Sequence, residues 1–227
     1  MKEQNEEKNL EIGGVIAQTE QYLQKNKKGL IIAAGIIIVV ALGIWAFVEG
    51  YSKPRQRAAA EEIFAAEQWF KEGSFEKALN GNDQYLGFLD IIDEYGGTKS
   101  ANLAKLYAGI CQLNLGQYNE AIDNLKSYKG KDDITPAQAI MLTGDAYAEL
   151  GNNDEAVAYY EKAAKKADNF ITTPTALWKA GMIYMKLGKN DVAAKKFETI
   201  KEKYPESSEW NEVDKYITYA KTGNLPE

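Results

Sequence analysis

The chain has 227 residues, 45% of them hydrophobic and 26% charged, with a formal net charge of −6, which suits one folded domain plus an appendage. The acidic balance argues against nucleic-acid backbone binding as the main task. No His is present, and Cys111 is the single Cys. Imidazole bases, Ser-His-Asp and Cys-His systems, His-ligated metals and intrachain disulfides are therefore excluded.

Residues 1–28 carry five Lys and five Glu. Leu10, Ile12, Val15, Ile16, Tyr22 and Leu23 fall at helical spacing and predict a short amphipathic helix from about Val15 to Gln24. Leu30 to Val48 holds no charge. Those residues make about 28 Å of helix, close to the ~30 Å hydrocarbon core of a bilayer. The run is too long for a cleaved signal and lacks a small-residue cleavage site, so it reads as a transmembrane signal anchor over 29–48. Lys25, Lys27 and Lys28 abut one end, and Lys53, Arg55 and Arg57 follow the other. The nearer lysines favour a cytoplasmic N-terminus and an extracytoplasmic C-terminal part. Pro54 is expected to break the chain before that part.

Four cassettes organise residues 54–221, starting at Gly73, Gly116, Gly151 and Gly188. Each is a Gly, a short polar link and an Ala five residues on. Gly can end a helix in the left-handed conformation, so each cassette predicts a turn between two helices. The starts lie 43, 35 and 37 residues apart, which fits a repeating unit of about 34 residues with insertions and predicts an all-α helical solenoid. The first unit departs from the rest: Asn80–Asp83 interrupts it, and a helical stretch with Tyr85, Phe88, Leu89, Ile92 and Tyr95 follows. Gly87 or Ala78 takes its close-contact position. Helical hairpins are expected as 100–115 with 119–128, 136–150 with 154–166, and 175–187 with 191–203. A capping helix is expected over 208–221, with Trp210, Val213, Ile217 and Ala220 on one face, and a frayed tail over 222–227.

Leu177-Trp178-Lys179-Ala180-Gly181-Met182-Ile183-Tyr184, followed by Gly188, Ala193, Phe197 and Pro205, resembles the tetratricopeptide repeat. The resemblance extends over about residues 56–221, with about four repeats. It implies close packing at Gly109 with Ala121, Gly144 with Ala156, and Gly181 with Ala193. It also implies a protein-binding groove along the first helices of successive hairpins. In the second repeat those positions hold Leu103, Leu106, Ile110 and Leu113. The groove candidates proper are Met141, Asp145, Trp178, Met182 and Met185, an apolar, Met-rich set suited to varied partners. The alternative is that residues 83–97 or neighbouring helices already fill this face. Asp132 and Asp133 read as solvated charge, and Cys111 as a buried inert thiol.

The layout of tail, anchor and repeats also resembles the YfgM-like ancillary subunits of the bacterial Sec translocon. That resemblance implies a single-pass inner-membrane protein with a periplasmic repeat domain, binding exported chains or periplasmic chaperones in a chaperone-like role. No catalytic residue, cofactor, metal, nucleic acid or small-molecule substrate is expected. The alternative function is a structural subunit of a fixed envelope-assembly complex.

Overall fold

The computed structural model describes residues 24–166 and 168–223. The expected amphipathic helix and the end of the C-terminal tail lie outside them. The described chain divides into residues 1–54 and 55–227, and among the described residues every regular element is helical.

In the first unit, helix α1 spans Lys27–Phe47. Its apolar side chains face outward along its whole length, and none is buried. It is long and apolar enough to cross a membrane by length and composition. A π-helical turn follows over Val48–Ser52.

The second unit begins within α2, Lys53–Lys71. Pro54 does not break the chain as the sequence suggests. It occupies the second position of α2, directly after the π-helical turn, so the backbone is already helical before it. After α2 come α3 (Phe75–Asn80), α4 (Phe88–Glu94), α5 (Lys99–Asn114), α6 (Tyr118–Ser127), α7 (Thr135–Glu149), α8 (Asn153–Lys166), α9 (Thr172–Lys186), α10 (Asn190–Lys203) and α11 (Val213–Thr222).

Each cassette closes its helix by one device. Gly73, Gly116, Gly151 and Gly188 have φ between +70° and +76°. At Gly151, the Gly N–H donates to the Ala148 carbonyl and the next N–H to that of Tyr147, at 3.0 and 2.9 Å. This pair of bonds satisfies carbonyls that the helix end leaves open. The same two bonds recur at the other three turns. The helix that follows therefore runs back along the one before it.

α5 with α6, α7 with α8 and α9 with α10 form three such hairpins, each packed on the next. In the first hairpin the partner of α2 is split into α3 and α4. Gly81 and Gly87 let the two pieces touch backbone to backbone, because a Cβ on either would lie 2.3–2.5 Å from the other's main chain. Ala78 is a separate contact, fully buried with Ile63 and Ala66 of α2. The two candidates thus hold different positions. Phe88 and Ile91 of α4 are fully buried against Ala101, Ala104, Ala108 and Cys111 of α5. Burial pushes the Cys111 thiol up to about 12.

The expected capping helix is divided. Ser208–Asn211 is a 3₁₀ turn, and α11 starts only at Val213. Trp210 consequently lies off the capping face, 40% exposed, with its Nε1 donating to the Lys201 carbonyl at 3.2 Å. Val213, Tyr216, Ile217 and Ala220 cover Phe197 and Ile200 of α10. Helix α9 starts at Thr172, within the run Thr172-Thr173-Pro174 that suits a helix start. The Asn169 carboxamide oxygen accepts from the N–H groups of Ile171 and Thr172 at 2.9 and 2.7 Å and so opens the helix.

Candidate interaction groove

Small residues set the spacing within each hairpin. A Cβ on Gly144 would lie 2.8 Å from the Tyr160 ring and 3.2 Å from the Ala156 carbonyl oxygen. A Cβ on Gly109 would meet Leu125 and the Ala121 carbonyl, and one on Gly181 would meet the Phe197 ring. Ala121, Ala156 and Ala193 are themselves fully buried. At Gly109 and Gly144, a Gly on the first helix faces an Ala, and a large side chain one turn further on, from the second; at Gly181 the ring of Phe197 fills that place.

The Gly144 contact has a consequence for the neighbouring polar groups. Tyr160 comes so close beneath α7 that its hydroxyl donates to Asp145 Oδ1 at 2.7 Å. Lys179, on the first helix of the next hairpin, donates to the same oxygen at 2.8 Å. Its Nζ also lies 5.9 Å from the Tyr160 ring centroid, within cation–π range. Burial, then the Asp145 carboxylate, pushes the Tyr160 phenol above its ordinary value, so it stays a donor. Asp145 is thus a junction of three helices.

A pocket of about 460 Å³ opens beside this junction. Ile110, Leu113 and Asn114 of α5 form one wall, and Leu142, Ala148 and Glu149 of α7 the other; Tyr118, Asp145, Tyr160 and Lys179 complete it. It lies on the face made by the first helices of successive hairpins. Residues 83–97 contribute nothing to its lining, because α4 packs on the opposite side of α5.

Of the groove candidates, only Asp145 lines this pocket. Met141 packs with Ala156, Tyr160 and Ala180, while Trp178, Met182 and Met185 join the core between α9, α10 and α11. The expected single apolar surface of these four residues is therefore divided between two cores. Met185 is 5% exposed and belongs to the interior. Trp178 is half-buried, edge-on to Phe197 at 5.3 Å and to Tyr216 of α11 at 4.3 Å. The capping helix covers the side chain that was expected to be free. Leu106 is buried too, whereas Ile110, Leu113 and Ala148 line the pocket.

Lys179, Tyr160, Tyr118, Asn114, Leu142 and Glu149 join this face beyond the residues expected there. One signal could have found Lys179: it stands 34 residues after Asp145, one repeat length, with opposite charge. Thr175 and Glu209 pair over the same interval, at 2.6 Å. Among the described residues no group of three or more Cys, Asp and Glu is placed to hold a metal ion.

Residues 108–170 and 141–208 match the family model described as tetratricopeptide repeat. No curated protein matches the chain. Among solved structures, MamA is similar with a TM-score of 0.50 and 20% identity, over 70% of this chain and 93% of that one. A putative kinesin light chain of Podosopora anserina, with TPR-like repeats, is similar with a TM-score of 0.54 and 13% identity, over 75% of this chain and 87% of that one. At these identities the likeness is one of fold: stacked helical hairpins. The small-residue contacts, the glycine turns and the family match agree that residues 108–208 are built as tetratricopeptide-like helical hairpins.

Proposed function

We propose that this chain is a membrane-tethered interaction module that binds protein segments in the groove between α5, α7 and α9. The observation that carries the reading is the open pocket beside Asp145. Its walls supply Ile110, Leu113, Leu142 and Ala148, and its rim supplies Glu149 and the Asp145–Lys179 pair. Such a mixture suits a segment with an apolar side chain flanked by polar or basic ones. Exported chains present segments of this kind before they fold, which agrees with the resemblance to YfgM-like translocon subunits. The uncharged run of α1 supports the tether, and Lys25, Lys27 and Lys28 support a cytoplasmic N-terminus with the repeats on the periplasmic side of an inner membrane.

Two measurements on the full chain in cells test this. A photo-crosslinking residue at Leu113 should capture exported or envelope proteins, and Leu113→Asp should abolish the binding of the same proteins without lowering the melting temperature much. No capture from Leu113 would refute the groove. One stoichiometric partner in place of many would favour the fixed-subunit alternative. For topology, a membrane-impermeant maleimide should label a Cys placed at Asn152 and spare one placed at Lys25 until the membrane is opened. The buried thiol of Cys111 leaves the background low. The reverse pattern would overturn the localisation.

A further inference from the structure

The first helices of the hairpins start on one edge of the second unit, and hydrogen bonds show that the starts of α2, α5 and α7 adjoin. Near the start of α2, Arg55 donates to the Glu94 carbonyl at the end of α4, and Gln56 Oε1 accepts from the Lys99 N–H of α5 at 3.0 Å. Asn102 of α5 exchanges two hydrogen bonds, both 3.0 Å, with the backbone of Lys129 in the loop before α7. Tyr128 in that loop bonds Thr135 at 2.6 Å.

A pocket of about 600 Å³ lies on this edge. Lys99, Lys105, Lys129 and Lys131 line it, together with Thr98 and Tyr128, and no Asp or Glu does. Six lysines elsewhere form ion pairs, but among the described residues none of these four does. The nearest acidic neighbour along the chain, Asp132, turns its carboxylate to Ile134 and Thr135. Four lysines clear of ion pairs among the described residues, against Asp132 and Asp133 in the adjoining loop, leave this lining locally positive in a protein of net charge −6.

The same edge carries exposed apolar side chains. Ile134, in the loop before α7, is 39% exposed, and Phe170 and Ile171, in the loop before α9, are 51% and 62% exposed. Both isoleucines are held out by the same local device. The Ile134 N–H donates to Asp132 and the Ile171 N–H to Asn169, each at 2.9 Å, so each loop turns tightly around an acceptor two residues back.

We infer that this edge docks on the anionic surface of the bilayer, with lipid phosphates in the lysine-lined pocket and Ile134, Phe170 and Ile171 at the headgroup–acyl boundary. Lysines beside exposed aliphatic and aromatic side chains are the chemistry of an interfacial surface. The inference rests on the reading of α1 as a membrane span. On that reading, only seven residues lead from Val48 to Arg55, so the second unit is tethered within a short reach of the bilayer. The bilayer surface is then the anionic partner present at the highest effective concentration.

The test uses the full chain reconstituted in nanodiscs, with an environment-sensitive fluorophore on a Cys introduced at Ile171. Emission should shift to the blue in discs containing phosphatidylglycerol, relative to phosphatidylcholine alone, and the shift should diminish with added salt. Each Lys→Gln change among Lys99, Lys105, Lys129 and Lys131 should weaken docking roughly fivefold. The quadruple variant should lose the shift while keeping its helical circular dichroism. Equal emission in both lipids, from chain that resists alkaline extraction, would overturn the docking and leave the span standing. Extraction by alkali would instead refute the span, and the docking with it. A shift produced in phosphatidylcholine discs by a polyglutamate peptide, and not by anionic lipid, would assign the edge to acidic protein segments and overturn the lipid assignment.

Discussion

Gly144 shows how much one missing methyl group decides. It brings Tyr160 under α7, and only that approach lets the phenol reach Asp145 and join the bond to Lys179. Gly144→Ala must push back a ring that is 3% exposed. It is expected to cost about 1–3 kcal/mol as overpacking and to disturb the pocket wall, which a denaturant titration of the full chain would detect. Unchanged stability would mean that the ring can move aside. Asp132 acts at the same scale. The hydroxyl and N–H of Thr135 hold its carboxyl down at about 2, because hydrogen bonds to the charged form favour it. A depressed acid contributes stability above its ordinary pKa, and loses it as pH falls through the folded value. Asp132→Ala should therefore melt below the parent at neutral pH, and the gap should close as pH falls from 3.8 towards about 2. A gap of constant size would show that the loss is not electrostatic.

At the scale of the element, α11 determines what α9 can do. A stack of hairpins leaves its last apolar face open, and a terminal helix covers it. Here Tyr216 of α11 lies against both Trp178 and Phe197. This converts Trp178 from a potential anchor for partners into part of the packing. Trp178→Ala should cost about 3 kcal/mol, the low end of the usual loss on Trp truncation because the ring is only half-buried. Partner capture from Leu113 should survive in the molecules that remain folded. Lost capture with unchanged melting would return Trp178 to the groove. The split second helix of the first hairpin makes a related point. Its two pieces, joined through Gly81 and Gly87, still supply the face that α5 needs, with Phe88 and Ile91 in place of one continuous helix.

For the whole second unit, stability is expected to run along the stack. Each hairpin packs on its neighbours, and polar pairs about one repeat apart stitch the layers: Lys179 with Asp145, Thr175 with Glu209, and Tyr204 with Asp168. In such an array a defect is felt first by adjacent layers. Phe197→Ala removes a fully buried ring and should cost about 3–5 kcal/mol. Amide exchange should then quicken in α9, α10 and α11 more than in α5 and α6. A uniform rise would indicate that the unit opens as a single cooperative block.

The sequence by itself determined the features set by local chemistry. The left-handed glycines at 73, 116, 151 and 188 ended helices, because that backbone conformation strains other residues. The small residues at 109, 144 and 181 marked the close contacts, and helix limits in the regular hairpins mostly followed within a residue. Asp145 lies on a first helix at an inward position, which is why it lines the pocket. Only the tertiary structure decided its partners, since Tyr160 comes from the second helix of the hairpin and Lys179 from the next repeat. It also decided that Met185 and Trp178 turn to α10 and α11. Periodicity shows that a helix has an apolar face, but two neighbours compete for that face. The winner depends on how successive layers stack, a contact between residues far apart in the chain.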